Sequence, residues 1–230
     1  MLLGDEGMRK LSSARVSVVG VGGVGAYAAE MLVRAGLGHI AVFDSDEVSD
    51  SNINRQLLAL HSTVGVSKVD VLKDRLLDIN PDLDIIVSKK YVDEDFLKGD
   101  SPILDSEVVI DAIDTLSPKV ALIQYCMGNG IHLVSSMGSG AKFDATAVRI
   151  ADISQTYQCP LAHMLRKRLH KLGITEGFDA VFSVEQPHRE SMQIEESRNK
   201  KSQVGTISYL PAVFGCVCAQ AAIKYITGIY

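Results

Sequence analysis

Residues 15–46 read R-V-S-V-V-G-V-G-G-V-G-A-Y-A-A-E-M-L-V-R-A-G-L-G-H-I-A-V-F-D-S-D, and the order of elements in this stretch decides the fold. An apolar run (Val16, Val18, Val19) stops at Gly20, Gly22, Gly23 and Gly25, after which Ala26, Ala29, Leu32 and Val33 recur at helical spacing. That succession is a strand, a glycine loop and a helix. Glycines let the backbone approach a phosphate closely, and the free N–H groups opening the helix attract the anion. Gly36 ends the helix, and a second apolar strand, His39 to Phe43, runs into Asp44, 24 residues after Gly20. A carboxylate there can accept hydrogen bonds from ribose hydroxyls. The unit reads as a nucleotide site; plain packing of helix on strand is the other use of the same glycines.

Downstream, D-S-D-E-V-S-D-S-N-I-N-R-Q follows the second strand directly and belongs at the carboxyl edge of the sheet, where open α/β folds bind ligands. Val66, Val69, Leu72, Leu76 and Ile79 keep a helical period that Asn80-Pro81 ends. Lys68 sits in the first turn, where a cation opposes the helix dipole, an arrangement better explained by a nearby phosphate than by a surface lysine. Asp84 to Lys89 predicts a third strand, Asp93 to Leu97 a short helix, and Glu107 to Asp111 a fourth strand followed by A-I-D-T. Ser117 and Pro118 then read as N-cap and first residue of a helix to Asn129. Asp114 therefore hangs at the end of a buried strand beside the glycine loop, where a carboxylate can hold magnesium against phosphate. Ile131 to Ser136 is the fifth strand. The alternation predicts an α/β fold, a Rossmann-like doubly wound, mostly parallel sheet.

Beyond Gly140 the pattern loosens into a C-terminal antiparallel and helical extension. Its expected parts are a strand over Thr146 to Ile150, a basic helix over Pro160 to Leu172, a strand over Ala180 to Ser183, a mobile loop over about 187–203 and an apolar helix over Ser208 to Thr227. A single domain is expected, with a nucleotide-binding part over 1–137 and a substrate and dimer part over 138–230. The 230 residues carry a net charge of −5, so no overall basic field attracts nucleic acid and any such partner must be held locally. Arg166, Lys167, Arg168, His170, Lys171 and the pair Lys200 and Lys201 are the concentrated basic runs; solvated surface and an RNA-facing patch both remain open for them. No apolar run reads as a membrane span, the start lacks the pattern of a signal peptide, and the four cysteines form no C-x-x-C pair. A cytoplasmic protein with structural thiols is expected.

These motifs together resemble the ThiF, MoeB and ubiquitin-activating superfamily of adenylating enzymes, which join a carboxylate to AMP. The resemblance rests on G-x-G-G-x-G at Gly20 to Gly25, F-D-x-D at Phe43 to Asp46, N-x-N-R-Q at Asn52 to Gln56, Lys68 in G-x-S-K-V, and D-A-x-D at Asp111 to Asp114. It extends to G-x-x-x-x-x-P-x-x-x-G at Gly205 to Gly215. Within the superfamily the chain is most similar to the tRNA threonylcarbamoyladenosine dehydratases, through D-A-I-D-x-x-x-P-K (Asp111 to Lys119), P-L-x-x-x-L-R-K-R-L (Pro160 to Leu169) and F-S-x-E-x-P (Phe182 to Pro187).

The resemblance implies ATP and magnesium, with Arg55, Lys68 and Asp114 as the catalytic set, Asp114 also holding the metal. Gly20, Gly22, Gly23, Gly25, Asp44, Asp46, Asn52, Asn54 and Gln56 would bind the nucleotide. It also implies a homodimer, a tRNA substrate bearing threonylcarbamoyladenosine, and, as in some relatives, a cysteine desulfurase or sulfur-relay partner. The C-x-x-C zinc ligands usual in sulfur-carrier adenylyltransferases are missing, so no zinc is expected. Relatives carry an arginine upstream of the segment matching M-L-L-G-D-E-G that reaches the partner's phosphate site; Arg9 does not match it, and weakened phosphate activation or a start placed too late are the two expectations. Cys159 precedes Pro160 at a helix start, where a thiolate is stabilised, but ring closure needs no thioester and a chance small residue is the better reading. His163 and His170 are expected on the exposed face of that helix. The competing readings are an adenylyltransferase for a sulfur-carrier or ubiquitin-like protein, and a nucleotide-binding protein or NAD-dependent oxidoreductase. Hydride transfer gives no use to Asn54, Arg55, Gln56 and Lys68.

Overall fold

Each run of β-branched and apolar residues in the first half becomes a strand of one sheet: β1 (Arg15–Val19), β2 (His39–Phe43), β3 (Asp84–Ser88), β4 (Val108–Asp111) and β5 (His132–Ser136). These five are parallel to their neighbours, with Val16 level with Ile40 on one side and Val108 on the other. Between them run α2 (Gly25–Arg34), α3 (Lys68–Ile79), the short α4 (Glu94–Leu97) and α5 (Leu116–Gly128), with α1 (Gly4–Ser13) ahead of the sheet. The second half adds β6 (Val148–Asp152), α6 (Pro160–His170), β7 (Asp179–Ser183) and α7 (Tyr209–Thr227). The order across the sheet is β3-β2-β1-β4-β5-β7-β6, and only β6 runs antiparallel. The structure is a computed structural model that describes residues 2–99, 101–193 and 203–229.

Strands buried on both faces must be apolar throughout, and two cores result. On one face α2, α3 and α7 cover the sheet through Leu32, Leu72, Leu76, Leu210 and Phe214; on the other α5 and α6 cover it through Leu122, Ile123, Leu165 and Leu169. Strand order reverses between β1 and β4, so the loops leaving their carboxyl ends open a crevice there. The α/β, doubly wound expectation therefore holds, with its antiparallel and helical extension joined to the same sheet.

Some boundaries moved, each for a local reason. α3 begins at Lys68 rather than Val66, because Val66 is bound to Val48 through its carbonyl (2.9 Å) and stays 42% exposed. α5 begins at Leu116 after an extended Thr115, and the Ser117 hydroxyl expected as its cap instead accepts from Arg168 Nη1 at 2.9 Å. β6 starts only at Val148, because the Asp144 carboxylate takes the Thr146 N–H (2.8 Å) and winds residues 145–147 into a turn. Within the segment expected as a loop, β8 (Met192–Gln193) pairs with β9 (Gln203–Val204); residues 194–202, including Lys200 and Lys201, lie outside the described residues.

α7 is the one helix among the described residues long and apolar enough to cross a membrane, at 19 residues and mean hydropathy 1.4, contrary to the expectation of no such run. It forms part of the core instead: 56% of its apolar window is buried. Gly215 makes this docking possible, since a Cβ there would lie 2.4 Å from the Val24 carbonyl oxygen and 2.7 Å from Tyr27 Cβ on α2. Gly215→Ala is therefore expected to force α7 away from α2, at a cost of about 1–3 kcal/mol. Urea denaturation should show a lowered midpoint with an unchanged slope; an unchanged midpoint would contradict the close-packing account.

Candidate active site

The glycine loop leaves β1 at Gly20, whose φ of +85° is the left-handed conformation that a side chain disfavours, while its N–H stays bound to the Phe43 carbonyl of β2 (2.8 Å). Gly25 opens α2 so close to the end of β1 that a Cβ would stand 1.8 Å from the Gly20 carbonyl oxygen. Gly23 lies under the C-terminal helix and the Arg55 backbone, with Pro211 Cβ at 3.1 Å and Arg55 O at 3.4 Å from the same kind of added atom. Gly22 differs. A methyl group there would meet only the Gln56 side chain, at an ordinary 3.6 Å, so the chain's own packing does not demand glycine.

Asp44 ends β2 against this loop. Its Oδ2 accepts the Val21 N–H at 2.8 Å and its Oδ1 the Asp46 N–H at 2.9 Å. Burial pushes the Asp44 carboxyl above its ordinary range, against the opposing pull of the Lys68 ammonium and of these two amides. Lys68 is only 5% exposed, and its Nζ donates to Asp46 Oδ2 at 2.9 Å, so Asp46 stands as its ion-pair partner at the rim.

A second wall comes from residues 49–56, wound into a tight turn. The Ser49 N–H donates to Asn52 Oδ1 (3.2 Å), and the Asn52 carbonyl accepts from the Arg55 and Gln56 N–H groups at 3.1 and 2.9 Å. Asn52 is thus buried scaffolding within the turn. Arg55 is held by one nitrogen, Nη1, which donates to Ser51 O and Asn54 Oδ1, both at 2.9 Å. Asn54 in turn donates to the Thr206 carbonyl (3.3 Å), fastening the wall to the segment ahead of α7. Gln56 Oε1 is buried with no hydrogen-bond partner among the described residues. An orphaned amide end beside the open Gly22 suits a ligand's polar group.

The third wall is the turn after β4. A Cβ on Gly20 would lie 2.9 Å from the Ala112 carbonyl oxygen and one on Gly25 3.2 Å from Ala112 Cβ. Two residues on, Asp114 is exposed at the carboxyl end of the sheet. No group of three His, Cys, Asp or Glu side chains suited to a metal ion occurs among the described residues. Magnesium at nucleotide sites takes one or two carboxylates plus phosphate oxygens and water, and the exposed Asp114 carboxylate is of the type it takes. Of the predicted residues, Asp44, Arg55 and Gln56 touch the glycine loop directly; Asp46 pairs with Lys68, Asn52 and Asn54 hold the 49–56 turn, and Asp114 lies two residues beyond Ala112.

Other features had no clear signal. Lys119 and Lys142 are fully buried lysines, at 0% and 2% exposure. Lys119 stood in the D-A-I-D-x-x-x-P-K run, where a cation in the first turn of an apolar helix was the available clue. Lys142 donates to Gln158 O and Ser183 O (3.1 and 2.8 Å), behind an open cleft of about 450 Å³ lined by Tyr157, Cys159, His163 and Arg166. Gln158 holds a positive φ of 53° there, and Cys159 is buried at the helix start. His163 and His170 are exposed as expected. Cys216 is exposed and Cys218 buried, facing different ways on α7, and burial pushes the Cys126 and Cys218 thiols up to about 12.

The chain matches the model of the ThiF family over residues 1–230. It is 41% identical over 226 residues to the tRNA threonylcarbamoyladenosine dehydratase of Bacillus subtilis (strain 168), covering 94% of this chain and 88% of that protein. To the tRNA threonylcarbamoyladenosine dehydratase of Escherichia coli (strain K12) it is 36% identical over 241 residues, covering 97% and 90%. Among solved structures, the E. coli tRNA N6-threonylcarbamoyladenosine dehydratase in complex with ATP is similar with a TM-score of 0.88 at 35% identity, covering 99% of this chain and 91% of that one.

The raised Asp44 carboxyl carries a pH signature. A carboxyl that binds its proton more tightly in the folded than in the unfolded chain stabilises the fold in acid and loses that contribution as pH rises through its folded value. The stability of Asp44→Asn relative to the wild type should therefore increase between about pH 4 and about pH 7. Urea titrations across that range measure it; a difference that stays flat or falls would contradict the burial-dominated environment.

Proposed function

We propose, from the premise that this chain belongs to the ThiF family, that it activates a carboxylate as its adenylate, and that this carboxylate is the threonyl group of threonylcarbamoyladenosine in tRNA. The observation that carries the reading is the closing of two turns on one glycine loop, Ala112 of the Asp111–Asp114 turn against Gly20 and Gly25, and Arg55 and Gln56 against Gly23 and Gly22, with Gln56 Oε1 left without a hydrogen-bond partner among the described residues. Likeness to two dehydratases over nearly the whole chain supplies the substrate.

The reaction joins two anions, so the site must offset their repulsion. A threonyl carboxylate oxygen attacks the α-phosphorus of ATP, and the bond to the bridging oxygen breaks to release pyrophosphate. The backbone of Gly20, Gly22, Gly23 and Gly25 cradles the phosphates, Asp44 takes the ribose hydroxyls, and Asn52, Asn54 and Gln56 complete the polar wall. Arg55 places positive charge on the phosphates, and Lys68, held by Asp46, adds a second cation. Magnesium, bound by Asp114 with phosphate oxygens and water, would supply charge to the leaving group. Attack on the acyl carbon from within the same modification then expels AMP with the carboxylate oxygen and closes a ring, leaving tRNA lighter by one water. Proximity makes this step intramolecular, so no enzyme nucleophile is needed.

The tRNA is held locally, since the net charge is −5; the basic face of α6, with Lys167, Arg168 and Lys171 around a groove of about 320 Å³, is the surface for it. The chain acts as one ThiF-type domain, residues 1–137 carrying nucleotide and 138–230 substrate and dimer contacts. A cytoplasmic, zinc-free homodimer without a membrane partner completes the reading, with a sulfur-relay protein as its associate. The exposed Met8, Tyr225 and Ile229 offer apolar surface for the second copy.

Pyrophosphate release from ATP and magnesium should depend on tRNA carrying the modification, and the product should be lighter by one water. Release without modified tRNA, or none with it, would overturn the substrate assignment. Arg55→Ala and Asp114→Ala should each lower the rate by at least about 100-fold with the fold intact; wild-type turnover in either would remove that residue from the mechanism. Sedimentation at micromolar concentration should give the mass of two chains, and a monomer would contradict the dimer.

A further inference from the structure

The turn that carries Asp114 is gripped from inside by two charges that no ligand can reach. Asp111, the last residue of β4, and Lys119, in the first turn of α5, are both 0% exposed, and Lys119 Nζ lies 2.8 Å from Asp111 Oδ2. The same carboxylate takes the Ser135 hydroxyl of β5 on Oδ2 (2.7 Å) and the Ile113 N–H on Oδ1 (3.1 Å). The lysine's remaining donors go to the Ile113 carbonyl at 3.0 Å and the Asp111 carbonyl at 3.5 Å. Both polar groups of Ile113 are therefore fixed, its N–H by the acid and its C=O by the base, immediately before Asp114. The same turn brings Ala112 so near the loop that a Cβ on Gly20 would lie 2.9 Å from its carbonyl oxygen and one on Gly25 3.2 Å from its Cβ.

Stability gives a poor account of this pair. Buried ion pairs lose so much hydration that apolar side chains of similar size often serve as well or better, and a lysine in the first turn of a helix also opposes the helix dipole. What the pair secures is geometry. It anchors one short turn to β5 and α5 at once, and that turn sets both the distance of Asp114 from the glycine loop and the shape of the loop itself.

We propose that Lys119, through its ion pair with Asp111, is a positioning residue that holds Asp114 where it can bind magnesium against the phosphates of ATP. This rests on the assignment of Asp114 as the magnesium ligand. Lys119 touches no substrate; it acts through the Ile113 carbonyl.

Removing Lys119 alone would strand a buried carboxylate, so the test pairs it with a neutral partner in Asp111→Asn/Lys119→Met, alongside Asp114→Asn and the wild type. Calorimetric titration with ATP, in EDTA and in excess magnesium, gives two dissociation constants per protein. The double variant is expected to keep its magnesium-free affinity for ATP while losing about tenfold or more of the magnesium enhancement, the usual effect of removing support behind a metal ligand. Hydrogen exchange should show the amides of residues 112–114 opening faster in its unliganded form. Full magnesium enhancement in the double variant, with that of Asp114→Asn lost, would overturn the positioning role and leave Asp114 as the ligand. Equal enhancement in Asp114→Asn and the wild type would overturn the magnesium assignment, and the proposal with it. Equal loss of affinity in EDTA and in magnesium would mean that the pair merely holds the loop together, and would also overturn it.

Discussion

No side chain fits between the first residue of α2 and the carbonyl of Gly20. The 1.8 Å to an added Cβ on Gly25 fixes how tightly the helix folds back on the strand, and most of the site follows from it. With the helix drawn in, the loop is tied to the end of β2, the Gly20 N–H to the Phe43 carbonyl and the Val21 N–H to Asp44 Oδ2. The loop then touches the β4 turn on one side and the Asn52–Gln56 turn on the other. Of Gly20, Gly22, Gly23 and Gly25, Gly22 is the one where an added Cβ would meet nothing closer than ordinary van der Waals contact.

Charge is distributed accordingly. Asp44, Asp46 and Lys68 form a partly buried triad, in which the lysine partly offsets the burial of one acid and pairs with the other. Arg55 is oriented by neighbours on its own turn, so its aim is decided within a few residues. Within a chain of net charge −5, Lys68 and Arg55 are thus held by neighbours near the glycine loop, and Lys167, Arg168 and Lys171 gather around one groove on α6.

Much of this was legible in the sequence, and the reasons differ by residue. β2 was bounded correctly at both ends, because the run Ile40–Phe43 is apolar, Gly36 ends the preceding helix in a left-handed turn and Asp44 follows the strand. Ser117 and Pro118 misled because capping chemistry is local, whereas the Ser117 hydroxyl is claimed by Arg168 on another helix. Val66 fitted the helical period of α3 yet lies outside it, since a backbone bond to Val48 outweighs one apolar position. The site motifs were visible as residue types with spacing. The buried partners behind them were not, because Lys119 and Lys142 are recognised by what surrounds them in three dimensions. The division of labour among the glycines was likewise hidden, since identical residues serve a left-handed turn at Gly20, a close contact at Gly25 and an open approach at Gly22.

Pro211, at the entry to α7, presses on Gly23 although 188 positions separate them. The ribosome therefore makes the loop early and its support late. Until α7 has emerged, the glycine loop lacks its Pro211 contact and the core on that side lacks Leu210 and Phe214. A chain ending before α7 would carry the glycine loop without the Pro211 contact on Gly23.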